Sequence, residues 1–287
     1  MAFKSPKVDP NVRIWRFMEL SRSPYIFSLV LRLEITLNYL ESDQFLMAIT
    51  REMIAIQAFL RLPTVQFVKL YCCFPDISAF LQIWDGCSES ISDVMLAVLT
   101  GIDSDYDWES SAVLEIPRKV RLDTLDLAHS EFRILLPWLT TDAFPFDLSN
   151  LTTLRVYQPH WNTFFPSSTT IKRLELKGDA VQGPIDLSLF PHLQHLELQA
   201  LRWPNHQNPE MALRMLATIP ADNQISHLKI DCRSADVFAS LDDLLSAIAL
   251  PQLNQFELVS EEDVKQALPK LYAQKLSHLV MLDERSV

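Results

Sequence analysis

Hydrophobic and polar positions follow a fixed local order in the stretch LFPHLQHLELQALRWP, residues 189–204. Apolar side chains stand at Leu193, Leu196 and Leu198, and charged, amide or histidine side chains fill the positions between them. Alternation of apolar and polar residues is typical of a β-strand with one buried face. The pattern predicts a short strand whose three apolar side chains point into a core.

The same apolar triplet recurs along the whole chain. First positions are separated by as few as 20 residues, from Leu151 to Ile171, and by as many as 35, from Val30 to Val65. Most separations lie in or near the roughly 20–29 residues typical of leucine-rich repeats. The triplets are Val30-Leu33-Ile35, Val65-Val68-Leu70, Ile91-Val94-Leu96, Leu122-Leu125-Leu127, Leu151-Leu154-Val156, Ile171-Leu174-Leu176, Leu193-Leu196-Leu198, Ile225-Leu228-Ile230, Leu253-Phe256-Leu258 and Leu276-Leu279-Met281.

Prolines mark the entry to several of these strands. Pro63, Pro191 and Pro251 each stand two residues before a triplet. Proline ends a helix, and its fixed φ angle suits the extended chain that follows, so the order helix, proline, strand is favoured.

Helices are predicted in the longer intervals between triplets. Leu241, Leu244, Leu245 and Ile248 share one helical face, and further helices are predicted over Asp43–Leu60 and Met211–Ile219. Ser260, with Asp263 at the capping-box position, is predicted to begin another helix, which Pro269 kinks or cuts short. The short intervals between Leu151 and Leu198 leave room only for extended or 3₁₀ chain.

The pattern predicts an α/β leucine-rich-repeat solenoid with the shape of a horseshoe or arc. Parallel strands form its concave side, and helices and irregular segments form its convex side. Residues 1–29 are predicted to form an N-terminal helical cap, and residues 30–287 about ten irregular repeats that behave as one domain.

Several segments resemble a known family. The chain looks like the irregular leucine-rich-repeat region of fungal F-box proteins, although residues before Val30 carry no recognisable F-box. The resemblance implies a substrate-recognition part of an SCF-type ubiquitin ligase receptor, with ligase components as partners and with the F-box missing from this chain. The segments are FMELSRSPYIFSLVLRLEI, RLDTLDL, PFDLSNLTTLRV and FPHLQHLELQALRW.

Charge and composition limit the classes of partner and the cellular locations that we expect for the chain. The net charge is −11, and no basic run is longer than a dipeptide, which argues against nucleic acid as a partner. We expect no membrane partner, because no apolar segment is long enough for a secretory signal or a membrane helix. Four cysteines without a C-x-x-C pair favour the cytoplasm or the nucleus.

Signals of catalysis are missing from the sequence. The four glycines form no nucleotide-binding loop, and no H-E-x-x-H or G-x-S-x-G motif is present, so we expect no enzyme activity, no cofactor and no metal. His195, His227 and His278 take the same place in three repeats, one residue before the middle triplet position. We expect these histidines to be exposed on the open face of the sheet rather than to be metal ligands.

A non-catalytic scaffold that binds a protein partner on its concave face is therefore the favoured function. Outward strand positions of the middle and later repeats form a mixed-charge strip, in which Arg155, Tyr157 and Arg173 are the expected anchors. An ordinary solvated sheet face with cross-strand charge pairs is the equally favoured alternative. The candidate partner-binding residues are Arg155, Tyr157, Arg173, Glu175, Lys177, His195, Glu197, His227 and Lys229.

Overall fold

The computed structural model describes more than half of the chain and divides it into two compact units, residues 1–150 and 151–287. The sequence predicts one domain, and the division falls between two of its repeats. The predicted helical cap lies almost wholly outside the described residues. Those are residues 29–37, 56–72, 77–97, 119–128, 144–157, 168–177, 185–201, 209–232, 235–260, 263–276 and 280–281, with Glu19, Ser23, Tyr25 and Ile54.

The described residues form an α/β structure in which parallel strands dominate, as the sequence predicts. The strands of the first unit are β1 (Arg32–Leu37), β2 (Phe67–Cys72), β3 (Asp93–Ala97), β4 (Val120–Arg121), β5 (Thr124–Ala128) and β6 (Phe146–Asp147). Those of the second unit are β7 (Thr153–Tyr157), β8 (Arg173–Lys177), β9 (His195–Leu201), β10 (His227–Cys232), β11 (Gln255–Val259) and β12 (Val280–Met281).

Successive strands pair in parallel, and they pair at the predicted triplets. In the first unit the order is β1-β2-β3-β5, with Leu33, Val68, Val94 and Leu125 in register, while β4 pairs separately with β6. In the second unit the order is β7 to β12. There the middle triplet residues Leu154, Leu174, Leu196, Leu228 and Phe256 are in register.

Burial of the triplets agrees with the prediction through nine repeats. All their side chains are buried except those of Val30 and Leu253, which are half-buried. The prediction for the last triplet is wrong, because Phe256 pairs with Met281 and not with Leu279. Leu276 ends a π-helical turn instead of entering the strand. Because the π-helical turn includes Leu276, the strand begins later in the chain, and the residue paired with Phe256 is two positions beyond the predicted Leu279.

Helices and 3₁₀ turns occupy the intervals between strands. Residues 56–60 and the helix α2 agree with predicted helices, and the predicted residues 43–53 lie outside the described residues. The helix α1 was not predicted. The helices are α1 (Ile77–Trp84), α2 (Pro209–Leu216), α3 (Ala235–Ala247), α4 (Val264–Ala267) and α5 (Pro269–Leu271), with 3₁₀ turns at Ser168–Thr170 and Leu187–Leu189.

The cap of α4 corrects the sequence analysis. Asp263, not Ser260, begins this helix, because its Oδ1 accepts a hydrogen bond from the backbone N–H of Lys265 at 2.8 Å. The predicted effect of Pro269 is confirmed, because α4 ends at Ala267 and a separate short helix begins at the proline.

A backbone hydrogen-bond motif repeats at the entry to the strands. In the second unit, the N–H groups of Gln194 and His195 both donate to the carbonyl of Lys172, at 2.8 and 2.9 Å. The N–H groups of Ser226 and His227 donate in the same way to Gln194. Equivalent pairs precede β2, β3, β5, β8 and β11. These seven strands, β2, β3, β5, β8, β9, β10 and β11, are therefore each joined to the preceding repeat by the same backbone contacts, whatever their side chains.

Asn223 takes the place that proline holds in other repeats, two residues before a triplet. Its buried amide donates to the carbonyls of Pro220 and Ala249, at 2.7 Å each, and its carbonyl oxygen accepts from the N–H of Ile225 at 3.2 Å. One side chain thus satisfies backbone groups in two repeats, where they are screened from water.

Within the described residues, none of the helices has the length and apolar character needed to cross a membrane.

Candidate binding face of the second unit

The residues between the triplet positions of β7 to β11 form two rows on one side of the sheet, which we call the charged face. The register brings Arg173 beside His195, and His195 beside His227, in one row. The next row, in register from β7 to β11, is Arg155, Glu175, Glu197, Lys229 and Glu257. Lys177 follows Glu175 on β8. The parallel register thus collects most of the predicted site residues.

Glu175 is the centre of the charged face. Its Oε1 atom accepts from the Nε atoms of Arg155, at 2.9 Å, and of Arg173, at 2.6 Å. The ammonium of Lys177 lies 3.1 Å from its Oε2 atom. The carboxylate of Glu175 therefore binds both arginines that the sequence suggested as anchors, Arg173 on its own strand and Arg155 on the neighbouring strand.

The environment of Glu175 determines its ionisation. Burial alone would raise the pKa of this carboxyl, but hydrogen bonds from the two arginines and from Lys177 outweigh burial and lower the pKa to about 2. Glu175 is therefore charged at neutral pH although only 2% of the residue is exposed. A buried carboxylate with three cationic partners is a fixed element of the structure.

The charged face is layered, so the predicted mixed-charge strip is not evenly solvated. Its acidic residues are buried, with Glu175 at 2%, Glu197 at 7% and Glu257 at 8% exposure. The side chains of Arg155 and Arg173 keep 32% and 41% of their surface exposed. Long cationic side chains extend over the shorter acidic ones of the neighbouring strands, so carboxylates lie below and positive groups above.

Two buried carboxylates oppose each other on neighbouring strands. Glu175 pairs in register with Glu197, an arrangement that is unfavourable unless a cation intervenes. Lys177 supplies one, 3.9 Å from Oε1 of Glu197, and that oxygen also accepts from the amide of Gln199 at 2.6 Å. The ammonium of Lys177 therefore lies between both carboxylates.

Lys229 binds Glu257, a residue that was not among the candidates. The Nζ and Oε1 atoms of this pair are 2.6 Å apart, and both side chains are largely buried. Glu257 occupies the same strand position as Glu175 and Glu197, and that shared position is the signal by which the sequence could have revealed it. Tyr157 ends β7, but its side chain lies outside the described residues.

His195 and His227 are partly buried, which overturns the expectation that they are exposed surface histidines. The rings of His195 and His227 stack with centroids 4.1 Å apart. The Nε2 atom of each is buried and has no hydrogen-bond partner in the described part of the chain. Burial, reinforced by the charge of Arg173, lowers the pKa of His195 to about 4, so the ring is neutral at neutral pH. His278 lies outside the described residues.

Three groups of metal-ligating type converge on this face. Each of Glu175, His195 and Glu197 offers one ligand atom, and these atoms lie within 4.8 Å of one another. The prediction of no metal site rested on the three histidines of the repeats and took no account of the carboxylates in the adjacent row. Parallel pairing of β8 with β9 brings the three groups together.

Comparisons of this chain with known proteins found no match. No protein-family model matches the chain, and no curated protein or solved structure does so either.

Proposed function

We propose that the chain is a non-catalytic scaffold of the leucine-rich-repeat type, and that its charged face binds an acidic segment of a protein partner. The observation that carries this proposal is the layering of the charged face, with the partly exposed side chains of Arg155 and Arg173 above buried carboxylates.

The solenoid assignment is supported by contacts that do not depend on residue type. Within each unit, consecutive strands pair in parallel at the triplets, and the paired N–H contacts to one carbonyl recur from repeat to repeat. Stacking of this kind, in which each unit contacts its sequence neighbours, is the defining property of solenoid proteins. Such proteins use their extended sheet surface for binding.

The sign of the exposed charge favours an acidic partner. The chain carries a net charge of −11, and this face presents cations in spite of that average. Local positive potential on an acidic protein attracts an acidic partner segment to one place and repels it elsewhere. The same overall charge disfavours the long phosphate backbone of nucleic acids.

Arg155 and Arg173 are also held in place before a partner arrives. Glu175 accepts from the Nε atom of each guanidinium, which holds each planar side-chain group in a defined orientation. Binding to arginines that are already ordered costs less side-chain entropy. Arginine is also among the residues that most often dominate interface energies.

The experiment compares proteins captured from a nuclease-treated lysate by the wild-type chain, by Arg173→Ala and by Lys172→Ala. Lys172 is the matched control, because it is an exposed cation directly before β8 and takes no part in the Glu175 contacts. We expect a set of proteins with acidic segments that Arg173→Ala loses and Lys172→Ala retains. Equal capture by both variants, or capture that occurs only from a lysate without nuclease treatment, would contradict the proposal.

The ubiquitin-ligase assignment remains a prediction from the resemblance, and no contact among the described residues bears on it. The cytoplasmic or nuclear location likewise remains a prediction from the cysteine content.

A further inference from the structure

We propose that Glu175, His195 and Glu197 form a binding site for a divalent transition-metal ion such as Zn²⁺. The proposal does not depend on a protein partner, and its test uses the isolated chain.

The backbone register places the three ligand groups. Glu175 and Glu197 are directly paired on β8 and β9, and His195 precedes Glu197 by two residues, so all three side chains emerge on the same side of the sheet. Their ligand atoms lie within 4.8 Å of one another. Tetrahedral Zn²⁺ at about 2.0–2.2 Å from each ligand needs separations of roughly 3.4 Å, which rotamer adjustments of about 1 Å would supply.

His195 supplies the second, independent observation. Its Nε2 atom is buried and makes no hydrogen bond to the described residues, although buried polar atoms are normally paired. The stacked ring of His227 holds the imidazole in position.

The two opposed carboxylates require a cation between them, and Lys177 now provides it. Its ammonium lies 3.1 Å from Glu175 and 3.9 Å from Glu197. An ammonium supplies one positive charge, whereas a divalent ion supplies two and can bind both carboxylates and the imidazole at once. Metal binding therefore displaces the Lys177 ammonium, and the two cations compete for the same place.

The donor set determines the class of metal. One imidazole nitrogen and two carboxylate oxygens suit Zn²⁺ and its first-row neighbours, whereas Ca²⁺ and Mg²⁺ prefer sites made only of oxygen. Three protein ligands leave a coordination position for water or for an acidic side chain of a partner.

The first experiment titrates Zn²⁺ into the wild-type chain after treatment with a chelator. Affinity and stoichiometry are read by competition with a chromogenic chelator, and imidazole ¹⁵N resonances identify the histidine that binds. We expect saturation at one ion per chain, with the His195 nitrogens shifted and those of the exposed His192 unchanged. Absence of binding, or a shift of other histidines without His195, would overturn the proposal.

Substitutions then distinguish a specific Zn²⁺ site from non-specific binding of Zn²⁺ to the protein surface. His195→Gln and Glu197→Gln should weaken Zn²⁺ binding at least about tenfold, because each removes one of three ligands. Lys177→Gln should strengthen binding about tenfold or more, because it removes the competing charge and keeps a hydrogen-bond donor. His192→Gln is the control and should bind as the wild type does.

The response of Lys177→Gln is the sharpest criterion. Weaker binding in this variant would contradict the competition between ammonium and metal, and so would unchanged binding. Thermal unfolding of each metal-free variant shows whether it is folded. Since the wild-type titration needs no substitution, an unfolded variant does not leave the site untested.

Discussion

Glu175→Gln is the most informative test of how the charged face is stabilised. The substitution keeps the shape of the side chain but removes the charge that Arg155, Arg173 and Lys177 share. In the folded protein the pKa of Glu175 is lowered from 4.5 to about 2. That difference means the fold favours the charged over the neutral carboxyl by roughly 3 kcal/mol. Because glutamine resembles the neutral form, we expect it to lower the free energy of unfolding by about 3 kcal/mol.

The control is Asp243→Asn in the same compact unit. Asp243 forms an ion pair with Lys270, and both side chains are exposed, so water already solvates both charges. Removing that carboxylate should leave the urea midpoint unchanged within error.

Urea unfolding at neutral pH with a chelator present, followed by far-UV circular dichroism, provides the measurement. Both substitutions lie in residues 151–287, so they act on the same compact unit. A loss for Glu175→Gln no larger than that for the control would refute the account of Glu175 as the organising carboxylate. A larger loss is expected for Glu175→Gln, because three cations that lose their shared counter-ion repel one another at short distance.

Two further predictions concern the core and a cysteine. Leu198→Ala should cost about 3–5 kcal/mol and Leu258→Ala about 2–3 kcal/mol, because Leu198 is fully buried between two paired strands whereas Leu258 keeps 9% of its surface exposed; equal losses in urea unfolding would argue against stacking as the source of stability. Burial raises the pKa of the Cys87 thiol from 9.0 to about 11, so alkylation by iodoacetamide should be slow at neutral pH and should accelerate as the pH rises towards that value. Peptide mass spectrometry measures this rate, and a plateau below pH 9.0 would contradict the prediction.

The positions of the strands were predictable because their signal is local. A strand with one buried face needs apolar residues at every second position, and a residue pattern of that kind is visible without knowing the partner strands. Proline before Leu193 marks the start of one such strand, and the turn at Pro191 lies where the sequence indicates it. The short interval before Ile171 likewise left room only for extended or 3₁₀ chain, and the structure contains a 3₁₀ turn at Ser168–Thr170.

Other elements were less predictable from local pattern. The helix Ile77–Trp84 is a short, mostly apolar segment, and short apolar segments fit a buried strand as well as a buried helix. Leu276 matched the triplet by residue type, but the chain there forms a π-helical turn. In both cases the surrounding packing determines which conformation is adopted.

The candidate site was likewise predictable only in part. From the sequence alone, Arg173, Glu175, His195 and Glu197 could be assigned to one side of their strands, because side chains alternate along a strand. That Glu175 faces Glu197, and that Arg155 reaches Glu175, depends on the register between strands. Intervals of different length separate those strands, so register is fixed only when the repeats pack.

Burial of the charges was decided by the tertiary structure alone. A glutamate between two leucines of a strand is predicted to face water, and on an isolated strand it would. Once Arg155, Arg173 and Lys177 from the same and the neighbouring strand extend over Glu175, water is excluded and the cations replace it. The sequence determines which side of the sheet a residue occupies, whereas its solvation depends on side chains that only folding brings together.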